Sequence, residues 1–178
     1  MKTRTLTGVL LLATALFFGG CATPTQPTAM VATPIGSVTK HTQSLSINVT
    51  GGSKTSAAGA SKISDTDFAE ALRQSITQSG LFAKISPADQ ADYRLDLQIV
   101  RLDQPMIGFS MTVTVEVTWT LARQSDHQII WQKSITSTYT AKTGEAFAGV
   151  TRLRLATEGA ARLNIQDAIG QMGALNLP

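Results

Sequence analysis

Read by the spacing of its apolar positions, the chain's longest uninterrupted signal has a period of two. Phe109, Met111, Val113, Val115, Val117, Trp119 and Leu121 alternate with Ser110, Thr112, Thr114, Glu116, Thr118 and Thr120. That is the pattern of a strand with one buried and one wet face. After a polar turn at residues 124–127, Ile129, Trp131, Ile135 and Tyr139 repeat the apolar face opposite Gln132, Ser134, Thr136, Thr138 and Thr140. Upstream, Tyr93, Leu95, Leu97 and Ile99 form a third such row, and its slip at Val100 and Leu102 predicts a bulge. Leu45, Ile47 and Val49 predict a first strand, and residues 81–85 a short one before Pro87. The three consecutive strands are expected to be antiparallel, with a core face and a solvated threonine ladder.

Two segments have helical spacing. Ser64 as N-cap puts Asp67 at the third helical position and sets Ile63 against Phe68, so a capping box and a hydrophobic staple agree in register. Phe68, Leu72 and Ile76 follow as one stripe, and Gly80 supplies the left-handed ending with Leu81 packing back on Ile76. Valine is therefore expected to be tolerated less at Gly80 than at Gly51, which borders a Gly/Ser/Ala/Lys stretch (residues 51–62) read as a mobile loop. The last helix is predicted over residues 149–172 with conflicting faces. Leu153, Ala156, Ala160 and Leu163 share one side, whereas Ile165, Ala168, Ile169 and Met172 lie well over 90° away, in line with Arg154, Glu158 and Arg162. Either the helix bends near Asn164 or Ile165, Ile169 and Met172 form an exposed stripe. Exposure is the reading carried forward.

The start of the chain has a different organisation. Lys2 and Arg4 precede a ten-residue apolar run, residues 9–18, and then Gly19-Gly20-Cys21. The run is too short to span a bilayer and has the proportions of a secretory signal. Residues 18–21 resemble the lipobox of bacterial lipoproteins, with Phe18 where Leu is usual and Gly where Ala or Ser is common. The resemblance implies removal of residues 1–20, acylation of Cys21 and, with Ala22 rather than Asp next, delivery to the outer membrane. Residues 21–43, with Pro24, Pro27 and Pro34 among Thr, Ala and Gln, read as a lipidated flexible tether. Residues 44–175 then form a single periplasmic domain.

Composition narrows the function. Of 178 residues, 43% are apolar and 15% charged, so uncharged polar side chains fill an unusual share of the surface. The formal charge of +3 falls to +1 once Lys2 and Arg4 are removed, which excludes nucleic-acid binding by bulk charge. With Cys21 the only cysteine, an intramolecular disulfide and a cysteine-based zinc site are both excluded. No catalytic set stands out: His41 falls in the tether, His127 in a turn, and Asp89, Asp92, Asp96 and Asp103 do not form a ligand cluster. Residues 51–55 lack the spacing of a phosphate loop. The chain is expected to be noncatalytic, with no metal or cofactor.

Two features exceed background. Pro105, Met106, Ile107 and Phe109 make a hairpin turn unusually rich in apolar side chains, read as a partner or lipid contact. Lys142, Arg152 and Arg154 gather at the entry to the last helix, where the dipole disfavours cations, and are read as an anion contact. The fold class expected is α+β, a two-layer sandwich of about four mainly antiparallel strands with two helices on one face. Its element order resembles the lipopolysaccharide-assembly lipoprotein and the auxiliary lipoproteins of ABC-type lipid transporters. That resemblance implies a noncatalytic accessory lipoprotein binding an envelope assembly or lipid-transport complex, or its lipid cargo. A peptidoglycan- or glycan-binding module is the alternative.

Overall fold

The computed structural model describes residues 22–36, 38–56 and 59–177; the signal segment and Cys21 lie outside them. In chain order the elements are α1 (Pro27–Met30), β1 (His41–Thr50), α2 (Asp65–Ser79), β2 (Phe82–Ile85), β3 (Tyr93–Asp103), β4 (Met111–Arg123), β5 (Ile129–Ala141) and α3 (Gly149–Met172). The strands form one sheet in the order β2-β1-β3-β4-β5. α2 packs on β1 and β2, and α3 on β4 and β5, enclosing a core around Trp119, Phe68, Leu45, Leu95 and Val117.

The α+β class and the layered arrangement are as expected; the sheet differs. It has five strands and is mixed, because β1 pairs parallel to both β2 and β3 while β3, β4 and β5 run antiparallel. β2 pairs with the first half of β1, ending at Leu45 opposite Ile85, and β3 begins at the same level, with Tyr93 opposite Leu45. The chain thus crosses from one side of β1 to the other through residues 86–92 and continues in the same direction. At the crossing, Asp92 accepts hydrogen bonds from the Ser44 amide (2.7 Å) and hydroxyl (2.6 Å), satisfying a β1 amide where its pairing register slips. Alternation reports which face a side chain takes, not which strand lies alongside.

α2 follows its sequence signals closely. The Ser64 hydroxyl accepts from the Asp67 amide at 3.1 Å, Ile63 and Phe68 are both buried, and Gly80 takes φ +64° with its amide donating to Ile76 and Thr77. The β3 bulge falls at Val100, between Ile99 opposite Val117 and Arg101 opposite Glu116. β4 shows the expected alternation only from Met111 onward; Phe109 precedes the strand and is exposed. The loop before α2 is held where it is described. Gly52 donates to Asp65, Ser53 to Ile63, and Thr55 and Lys62 bond to each other.

The segment read as a tether is instead a strap across the seam between α2 and α3. Met30 and Ala32 are fully buried there. One row of α3 side chains, spaced a turn apart, binds the strap's backbone: Glu158 accepts from the Gln26 amide (2.8 Å), Arg162 donates to the Ala29 carbonyl (3.0 Å) and Gln166 to the Thr33 carbonyl. Thr39 donates to Gly173, and His41, expected to be solvated, is buried with its Nε2 on the Met172 carbonyl and its ring against Phe82. The strap resolves the conflict of faces in α3. With the sheet on one side and the strap on another, the helix is covered on two sides, leaving a strip through Leu163, Asp167 and Gly170 exposed, and Ile165, Ile169 and Met172 are each 0% exposed. The exposed stripe does not exist, and α3 runs through Asn164 as one element. Asn164 is a buried polar plug: it accepts from Trp119 Nε1 (3.0 Å) and donates to the Ile135 carbonyl (2.8 Å).

Candidate functional site

Two surfaces and one cleft among the described residues are open to chemistry or contact. The first is at one end of the sheet, where the β3–β4 loop meets the β5–α3 loop. Gln104 fixes the root of the former, donating to the Ser61 carbonyl and to Thr157 Oγ1 while accepting from Lys62 Nζ (3.2 Å). Arg152, which is buried, ties the two loops together: its guanidinium donates to the Ala146 and Phe147 carbonyls at 2.7 Å and reaches Gly108 at 3.5 Å. Thr143 adds a bond to the Phe109 carbonyl. With both backbones held, the apolar side chains stand outward: Met106 is 97% exposed, Ile107 88%, Phe109 86% and Phe147 101%. Pro105 is half-buried at the root. Phe147 escaped the sequence reading because a lone aromatic in an Ala/Gly/Val stretch carries no period.

The predicted anion contact does not assemble. Arg152 is consumed by loop carbonyls, Arg154 pairs with Glu158 at 2.9 Å, and Lys142 is left exposed on its own. The helix dipole disfavours these cations, and what offsets it is a set of local acceptors, three carbonyl oxygens and a carboxylate, which sequence spacing does not display.

The second surface is the sheet face turned away from both helices. Thr112 and Thr140 share a hydrogen bond of 2.9 Å, as do Thr114 and Thr138, and Gln132 donates to Thr120. Its charges are paired within the face: Arg94 with Asp96 at 2.7 Å, Arg101 with Glu116 at 3.4 Å. The face is polar, and its hydroxyls and charges are partly paired with one another.

At the opposite end of the sheet from the loop tips, an open cleft is lined by Gln43, Asp92, Tyr93, Arg123 and Gln124. The Ser44 bonds, with Lys84 nearby, hold the Asp92 carboxyl below its ordinary range. Arg123 is pushed up by the Tyr93 hydroxyl and Asp126, and Asp126 is lowered by the Gln128 amide and then by Arg123. A carboxylate stabilised in its ionised form is a poor proton acceptor at neutral pH, so Asp92 serves the crossing. Among the described residues, neither histidine is hydrogen-bonded to a carboxylate, and no three potential metal ligands cluster.

No family model matches the chain, and no curated protein matches it. Solved structures do. Protein XCC0632 from Xanthomonas campestris, of family DUF330, is similar with a TM-score of 0.65 at 17% identity, covering 84% of this chain and 94% of that one. Protein CT253 from Chlamydia trachomatis gives 0.53 at 10% identity over 75% and 99%. A point variant of the PelC dodecamer from Paraburkholderia phytofirmans gives 0.51 at 15% over 81% and 95%. At these identities the likeness is one of fold. Among the described residues no helix is long and apolar enough to cross a membrane.

Proposed function

We propose that this chain is a noncatalytic accessory lipoprotein of the Gram-negative outer membrane. It is anchored by acyl chains on Cys21 and binds an envelope assembly or lipid-transport complex, or its lipid cargo, from the periplasmic side. The observation that supports a binding role is the hydroxyl face. Where Thr112 pairs with Thr140 and Thr114 with Thr138, half of these hydroxyl donors are already used, so a partner that covers the face has few polar groups left to satisfy and can do so with acceptors of its own. The lipobox-like residues 18–21 support the anchor.

Two measurements test the reading. Metabolic labelling with an alkyne fatty acid is expected to mark the native protein and to miss Cys21→Ser; label persisting on the serine variant refutes the anchor. A photo-crosslinking residue in place of Thr138 in the lipidated protein is expected to capture an outer-membrane barrel or a transporter component. Cosedimentation with purified sacculi, without such a crosslink, would instead establish the glycan-binding alternative.

A further inference from the structure

We propose that the paired loop tips insert into the membrane leaflet that holds the Cys21 acyl chains, so that the domain sits on the membrane in a fixed pose. The proposal rests on acylation of Cys21, and it follows from where the strap begins. The Ser61 hydroxyl donates to the Thr23 carbonyl at 2.7 Å, and Thr25 donates to the Lys62 carbonyl at 3.0 Å, so the strap is bound to the domain from its second described residue. The same two residues, Ser61 and Lys62, bind Gln104 at the root of the β3–β4 loop. Only Ala22 separates Thr23 from Cys21, a reach of at most about 7 Å in any conformation. An anchor on Cys21 is therefore confined beside the loop tips.

The levels agree. Gln104 meets α3 at Thr157, and the tips are clamped at Arg152. Those positions are five residues apart, about 7.5 Å of helix rise, so the tips project roughly one turn beyond the anchored root. The β3–β4 loop carries no charge, residues 104–110 reading Gln-Pro-Met-Ile-Gly-Phe-Ser, and Phe147 stands between Ala146 and Ala148, with Lys142 and Glu145 earlier in the β5–α3 loop. Met106, Ile107, Phe109 and Phe147 can thus enter the headgroup and acyl boundary, the depth at which interfacial segments lie, while the loop backbones stay at the headgroups. A leaflet is the occupant the structure favours because the attachment point fixes which surface the tips face.

The test uses the full lipidated protein in vesicles of phosphatidylethanolamine and phosphatidylglycerol. Acylation occupies the Cys21 thiol, so an introduced cysteine takes an environment-sensitive fluorophore alone. Ile107→Cys and, independently, Phe147→Cys are expected to give a blue-shifted signal quenched by doxyl-labelled lipids. Ser125→Cys, at the far end of β4 and roughly 40 Å away along thirteen strand residues, is expected to stay in water. Water-like signals at both 107 and 147 in protein shown to be acylated overturn the insertion and leave the anchor standing. Absence of acylation overturns both. Protection that appears only when an envelope protein is added assigns the tips to that protein and refutes the leaflet.

Discussion

Met30→Ala separates a packed strap from a loose tether. The Met30 side chain is 0% exposed and joins the core between α2 and α3. Truncating a buried methionine to alanine costs about 2–5 kcal/mol, the spread reflecting how far the site collapses. The strap is held by side-chain bonds to its backbone, not by a sheet ladder, so it can settle, and the lower half, about 2–3 kcal/mol, is expected. For a domain of this size each kcal/mol shifts the melting temperature by about 2–4 °C, which gives a fall of about 4–12 °C. Ile35→Ala is the matched control five residues on, 87% exposed, and should stay within about 0.5 kcal/mol of the parent. Thermal unfolding followed by circular dichroism reads both. Amide exchange at Ala32, whose N–H donates to Ser75 Oγ at 2.9 Å, shows whether the strap alone has loosened. Equal melting temperatures for the two variants, with Ala32 exchanging no faster in Met30→Ala, would refute the packed strap.

Three further outcomes are expected. Asn164→Leu strands Trp119 Nε1 and the Ile135 carbonyl in the core and should cost about 2–4 kcal/mol in denaturant titration; a neutral result would mean that water replaces the amide. Gly51 and Gly80, both at positive φ, should rank opposite to the order their sequence context suggests. A side chain at Gly51 (φ +87°) would collide with the Ile99 backbone, whereas at Gly80 (φ +64°) it meets only the flexible Lys40 side chain at 3.5 Å, so valine at 51 should lower the melting temperature further, and the reverse order would sink the β1–β3 register. Asp92 is held below its ordinary 3.8 by Ser44, so its contribution is full above that pH and is lost as pH falls through the depressed folded value. Melting temperatures of the native protein and Asp92→Asn should therefore converge on acidification, and a constant gap would show that the carboxylate's charge is not what Ser44 recognises.

How much of this was legible depended on whether the information was local. The caps of α2 involve residues within a few positions of each other, so Ser64, Asp67 and Gly80 announced both ends. The β4 alternation was equally plain because every inward side chain meets the same core. The strap was invisible for the opposite reason: it buries one large side chain, Met30, among small ones, and its bonds go through backbone atoms to residues more than a hundred positions away. Without that second covering layer, a helix apolar on two sides reads as one with an exposed stripe, and Glu158 and Arg162 read as a solvated ridge. The loop tips were half legible: Met106, Ile107 and Phe109 stood out as apolar where a turn wants polar residues, but their pairing with Phe147 required Arg152, whose charge had suggested an anion.

The contacts that dock the strap also set an order of events. Gln26 with Glu158, Ala29 with Arg162, Thr33 with Gln166 and His41 with Met172 join positions separated by 131 to 133 residues. Closing a loop of that length in a free chain costs about 4 kcal/mol in entropy, more than closing the loops of 37 to 43 residues that join the strap to Ser61, Lys62 and Ser75. The seat of the strap on α2 and the loop before it is therefore the cheaper half to form, and its row of bonds to Glu158, Arg162 and Gln166 is completed only when the final helix closes.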